Sequence, residues 1–171
     1  MEVIGERIKI KLTEEKDLSN ILILWNNGDV MKWVGYPEGL NISIEKIQEW
    51  FSGIQESELA NHYVVFTRSD LFCGELFYMK NLKHKRAGLD IKFLPESQGK
   101  GLATEALKMF VDFIFKTEEQ IEAVWTEPSK ENIAARGLYD RCGLSEKERP
   151  DDMESADSYW ELTREEWKRN I

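Results

Sequence analysis

The stretch Leu94-Pro95-Glu96-Ser97-Gln98-Gly99-Lys100-Gly101-Leu102-Ala103-Thr104-Glu105-Ala106-Leu107 constrains the fold of this chain more than any other, because a strand-like run ends there in a glycine-punctuated loop and a helix begins at once. Glycines at 99 and 101 let the backbone approach a ligand closely. The first helical turn leaves amide N–H groups without intrahelical partners and aims the positive end of the dipole at any anion that docks there. Lys100 adds a mobile positive charge. Together these features describe a pyrophosphate cradle in a strand–loop–helix unit.

Spacing separates the glycine-rich phosphate motifs. A Walker loop needs a glycine where Leu94 stands and Ser or Thr where Gly101 stands. A dinucleotide fingerprint needs a small residue where Thr104 stands, and it follows the first strand of its unit, whereas about ninety residues precede this loop. What fits is Gln98-x-x-Gly101-x-Ala103, which resembles the acyl-CoA signature Gln/Arg-x-x-Gly-x-Gly/Ala of the GCN5-related N-acetyltransferases (GNAT).

The bulk properties fit one globular domain spanning 1–171, since 171 residues bury a proper core but do not divide comfortably in two. No apolar run approaches the roughly twenty residues of a membrane span, and the start, Met1-Glu2-Val3-Ile4-Gly5-Glu6-Arg7, does not read as an export signal. A cytoplasmic protein with reduced Cys73 and Cys142 is expected, and these cysteines with His62 and His84 show no metal-ligand spacing, so no metal is expected. A net charge of −9 argues against a nucleic-acid partner and makes a cationic one natural.

Along the chain, Arg7-Ile8-Lys9-Ile10-Lys11-Leu12 alternates as a strand, and Thr13 is placed to cap a helix carrying Leu18, Ile21, Leu22 and Trp25 on one stripe. Asn26-Asn27-Gly28-Asp29 ends it, and a second amphipathic helix starts near Ser43. Tyr63-Val64-Val65-Phe66 and Phe72-Cys73-Gly74-Glu75-Leu76-Phe77-Tyr78 form a hairpin around Ser69-Asp70, and residues 87–94 add a third strand. A helix over 103–116, a strand at 121–125, a helix over 129–141 capped by Ser129 and stopped at Cys142-Gly143, and strands near 145–149 and 158–163 follow. An acidic turn of Asp151, Asp152, Glu154 and Asp157 joins the last two.

The order strand, two helices, three-stranded meander, helix, strand, helix, two strands resembles the GNAT family over essentially the whole chain. A second motif agrees: Asn132-Ile133-Ala134-Ala135-Arg136-Gly137-Leu138-Tyr139-Asp140-Arg141-Cys142-Gly143-Leu144 is similar to the family pattern Asn-x-x-Ala/Ser-x-x-x-Tyr-x-x-x-Gly-Phe. The resemblance implies an α+β, α/β/α layered acyl-CoA N-acyltransferase fold, a mixed central sheet of about seven strands flanked by about four helices. It also implies an enzyme that transfers acetyl from acetyl-CoA to a primary amine by direct attack. Trp25-Asn26-Asn27-x-x-Val30-x-x-Trp33 and the 94–106 run are most similar to the branch containing ribosomal-protein alanine N-acetyltransferases.

For the cofactor, the resemblance implies backbone amides at Ile91 and Phe93 along the pantetheine arm, the one at Phe93 helping a developing oxyanion. Gln98, Gly99, Lys100, Gly101, Leu102, Ala103 and Thr104 take the pyrophosphate, and Asn132, Ala135 and Tyr139 complete the site. Tyr139 is the expected general acid toward the leaving thiolate. Many relatives carry Glu where this chain has Gly88, so Asp90, two residues on and on the same strand face, is the expected base, with Glu75 and Glu127 in reserve. The expected acceptor is a protein or peptide N-terminal amine by branch resemblance. A polyamine or aminoglycoside-like polycation is the alternative, and the acidic balance with Asp90, Asp151, Asp152 and Asp157 favours a cationic acceptor of any of these kinds, a protein α-amine followed by basic residues included, over a neutral or anionic one. A non-catalytic acyl-CoA-binding module and an acyl-carrying cysteine are the competing readings. No membrane partner is expected, and the protein reads as a monomer or homodimer.

Overall fold

The computed structural model describes residues 2–153 and 158–170. Its centre is one eight-stranded mixed sheet in the order β1-β2-β3-β4-β5-β6-β8-β7. The strands are β1 (Glu2–Ile4), β2 (Ile8–Leu12), β3 (Ala60–Thr67), β4 (Phe72–Asn81), β5 (Arg86–Phe93), β6 (Ala123–Thr126), β7 (Ser145–Glu146) and β8 (Trp160–Thr163). All neighbours are antiparallel except β5 and β6. That one parallel step needs a crossover, and α4 (Leu102–Thr117) supplies it. The other helices are α1 (Leu18–Trp25), α2 (Gly28–Met31), α3 (Ile44–Glu56), α5 (Ile133–Arg141) and α6 (Arg164–Arg169).

Strand alternation decides which layer covers which face. Leu76 and Tyr78 of β4 and Ala87, Leu89 and Phe93 of β5 point toward α4 and pack with its Ala106, Leu107, Phe110 and Ile114. On the opposite face Val64 packs with Leu18 and Ile21 of α1 and Ile47 and Phe51 of α3. The product is the expected α/β/α arrangement. At the far end of α4 the Arg164 guanidinium donates to the carbonyls of Phe115 and Glu118 at 2.6 and 2.7 Å, which satisfies helix-end acceptors, and to the Ile121 carbonyl before β6 at 2.8 Å.

Several expectations are corrected. The sheet has eight strands among the described residues, since the three-residue edge strand β1 adds to the expected seven, and there are six helices, since α2 and α6 are single short turns. Thr13 does not cap a helix; its hydroxyl hydrogen-bonds His62 Nδ1 at 2.7 Å, and Asp17 instead accepts from the Glu14 N–H at 3.0 Å. The helix expected from Ser129 starts at Ile133, with Asn132 as its cap through a 3.1 Å bond from the Ala135 N–H to Asn132 Oδ1. Of the acidic turn, Glu154 and Asp157 lie outside the described residues.

Candidate active site

β5 and β6 pair only where Arg86, Ala87 and Gly88 face Ala123, Val124 and Trp125. Beyond Gly88 and Trp125 the strands part and leave a cleft of about 1000 Å³, with residues 90–93 on one lip and 126–129 on the other. The loop before α4 and the first turn of α5 line it, as do half-exposed Trp33 and Val34. Gly88 sits close under Trp125: a Cβ there would meet the ring at 3.1 Å, so the ring would have to shift slightly to admit one.

Register fixes what the β5 backbone offers this cleft. Phe93 lies opposite Gly74, and the Leu94 N–H donates to Cys73 at 2.8 Å, so Phe93 and Gly74 form a non-hydrogen-bonded pair. By alternation the N–H and C=O groups of Ile91 and Phe93 face away from β4 and into the gap, past the end of the β5–β6 ladder. The Phe93 carbonyl accepts from Gln98 Nε2 at 2.8 Å. Gln98 therefore ties the loop to the strand, while the Phe93 and Ile91 amides remain directed at the cleft.

In the loop, Gly99 and Gly101 have φ of 70° and 76°, a left-handed conformation that a side chain would strain. Gly101 is the N-cap of α4, so the amides of Leu102, Ala103 and Thr104 have no intrahelical acceptor. Gln98, Gly99, Gly101, Ala103 and Thr104 line the cleft, as do Asn132 and Ala135 from the start of α5. Two expected contacts are not brought there as side chains: Leu102 is buried in the core, and Lys100 projects outside the lining. Only their backbones belong to the loop.

Tyr139 is 5% exposed and reaches the cleft from α5 on the sheet face opposite α1 and α3. Burial pushes its phenol up to about 12, and the Thr126 hydroxyl hydrogen-bonds it in opposition to that shift. Asp90 lies on one lip, paired with the Lys92 ammonium, which also donates to Glu75 Oε1 at 3.1 Å. Glu75 is 2% exposed and accepts from Trp25 Nε1 at 2.8 Å, with His62 Nε2 at 3.1 Å on its other oxygen. Burial alone would raise its pKa. The Lys92 ammonium and the contacts of His62 and Trp25 outweigh burial and hold it at about 2. As a reserve base Glu75 is thus out of place, under α1 and α3 with its oxygens occupied.

Glu127 is different. It is exposed on the β6 lip, where alternation puts it on the face of Trp125, Gly88 and Asp90, and partial desolvation raises its pKa against the opposing pull of Arg149. Sequence reasoning missed Lys92 and Thr126. Lys92 shares the alternation face of Asp90, and Thr126 opposes Trp160 at the mouth of the gap, but neither signal can be read before the register is known.

Among the described residues no group of three or more His, Cys, Asp or Glu side chains could hold a metal ion, and no helix is long and apolar enough to cross a membrane. Cys73 and Cys142 are both buried, and burial raises both thiols, Cys142 to about 11, which disfavours a nucleophilic thiolate.

A parallel pair that splits beside a glycine-rich loop at a helix N-terminus agrees with the fold that the two sequence motifs imply. The family model described as the acetyltransferase (GNAT) domain matches residues 7–145, and the chain belongs to that family and is an N-acetyltransferase. It is 29% identical over 138 residues to a spermidine N(1)-acetyltransferase of Escherichia coli K12, covering 81% of this chain and 73% of that protein. A spermidine N-acetyltransferase from Vibrio cholerae, crystallised with CoA and spermine, superposes with a TM-score of 0.82 at 21% identity, covering 96% of this chain and 99% of that one. An aminoglycoside acetyltransferase in complex with coenzyme A superposes with a TM-score of 0.78 at 18% identity, covering 95% and 98%.

Proposed function

We propose that this protein transfers the acetyl group of acetyl-CoA to a primary amine of a small polycation of the polyamine class. The observation that carries the reading is the cleft itself. It has an anion-binding loop at one end, strand amides and Tyr139 along its length, and the carboxylates of Asp90 and Glu127 on opposite lips. The spermidine acetyltransferases among its relatives support a polyamine over the protein N-terminal amine expected from the sequence.

Acetyl-CoA supplies an activated thioester, and the chain's residues position and polarise it. The amides of residues 102–104 receive the pyrophosphate, and the Ile91 and Phe93 amides line the path to the acetyl group. As the amine nitrogen bonds to the carbonyl carbon, negative charge develops on the oxygen, and the Phe93 N–H is placed to stabilise it. The carbon–sulfur bond then breaks. A phenol held near 12 keeps its proton throughout the working pH range, so Tyr139 acts by donating a hydrogen bond to the departing sulfur. The proton lost by the amine goes to a lip carboxylate. Glu127 is the acceptor, because partial desolvation raises its pKa, while Asp90, whose partner Lys92 is shared with Glu75 so that a net negative charge remains, holds the distal charge of the substrate.

The test is release of free thiol from acetyl-CoA with spermidine, a neutral primary amine and an N-terminal alanine peptide in parallel. Release fastest with spermidine is expected. CoA binding with no amine-dependent release would make the protein a binding module, and preference for the peptide would restore the N-terminal acceptor.

A further inference from the structure

Arg7, at the entry to β2, makes four hydrogen bonds across the molecule to the loop and to α4. Its backbone N–H donates to Glu105 Oε1 at 2.9 Å, and its Nε to Glu105 Oε2 at 2.8 Å. Its two terminal nitrogens donate to the Lys100 carbonyl at 2.7 Å and the Gly101 carbonyl at 3.1 Å. The three side-chain bonds come from one planar fork, so they fix orientation as well as position.

A trans peptide is planar, with its C=O and N–H pointing to opposite sides. Turning the carbonyls of Lys100 and Gly101 toward Arg7 turns the N–H groups of Gly101 and Leu102 away from it. Gly101 separates two hollows: Arg7 lines one, and the cleft between β5 and β6 is the other. The Gly101 carbonyl is also held by the Glu105 N–H at 3.1 Å, the first bond of α4, whereas the Lys100 carbonyl, set between left-handed Gly99 and Gly101, takes its direction from Arg7.

We infer that Arg7, anchored by Glu105, is a positioning residue that orients the Gly101 and Leu102 amides for the pyrophosphate of acetyl-CoA without touching the donor. The inference rests on the proposed use of acetyl-CoA. Arg7 sets the donor's affinity through the diphosphate and leaves the reacting end of the cleft alone.

A donor without the diphosphate separates this role from a general structural one. In wild type, kcat/KM should be higher for acetyl-CoA than for S-acetyl-pantetheine. In Arg7→Ala the acetyl-CoA value should fall about 10- to 100-fold, through KM, while the S-acetyl-pantetheine value stays within about twofold. Arg7→Lys should recover little, because an ammonium keeps the charge but cannot fork to three acceptors. Glu105→Gln, which leaves the loop sequence intact, should show a smaller loss of the same kind and serves if Arg7→Ala folds poorly. Equal losses with both donors, no loss with either, or full recovery in Arg7→Lys would overturn the inference. A wild type that fails to use acetyl-CoA would instead overturn the proposed function.

Discussion

Glu75 and Glu127 lie on the same face of one sheet and have been driven in opposite directions. Glu75 is almost wholly buried, yet its pKa is pulled down to about 2, because Trp25, His62 and Lys92 saturate it with donors and charge. Glu127 is exposed on the cleft lip, yet its pKa is raised, because desolvation there is only partly opposed. Depth of burial therefore does not decide basicity; the local supply of partners does. The first region is closed and structural, the second is open with capacity to bind and exchange protons.

The sharpest way to break this contrast is to remove the buried charge. Glu75→Gln should destabilise the fold by about 3–5 kcal/mol by leaving Lys92 undercompensated, read as a fall in denaturation midpoint. Because the folded pKa lies below the ordinary 4.5, the stabilisation is full above that value and disappears as pH falls toward 2. Wild type should accordingly lose stability over that window, and Glu75→Gln should lose less.

Tyr139→Phe removes the phenol and keeps the ring, so kcat should drop about 10- to 1000-fold with little change in CoA affinity or melting temperature. Wild-type turnover in this variant would assign sulfur stabilisation to water.

Glu127→Gln should lower kcat/KM about 10- to 100-fold and leave stability near wild type, the reverse of Glu75→Gln. Activity of the wild type should decline as pH falls through a carboxylate pKa above the ordinary 4.5, and that acidic limb should flatten in the variant. An unchanged limb would transfer the proton-accepting role to Asp90. The smallest effect is expected for Gly88→Ala, which presses on the Trp125 ring and should change acceptor KM by about two- to threefold.

The sequence made the helices, the hairpin and the glycine loop legible, because each rests on local periodicity or on left-handed turns that only certain residues tolerate. The left-handed turns at Gly99 and Gly101 came through for that reason, and the layered fold through the family resemblance that the element order carries. What escaped depends on partners distant in sequence. Thr13 reads as a helix cap until β3 brings His62 beside it, and Asp90 reads as a free carboxylate until Lys92 and Glu75 share a face. Arg7 reads as the first polar residue of a strand, because Glu105 lies 98 positions away. Strand β1 and helix α6 are too short for periodicity to register.

We propose that selection of a polycation rests on Asp90 and Glu127 at the two lips of the cleft. The most direct measurement is kcat/KM for spermidine and for a matched neutral amine across an ionic-strength series, in wild type and in the double variant Asp90→Asn/Glu127→Gln. The expected result is a preference for spermidine that is largest at low salt, weakens as screening shortens to roughly 8 Å near 0.15 M, and largely vanishes in the double variant. A neutral amine preferred at low salt, or a spermidine preference unmoved by both salt and the double substitution, would contradict it.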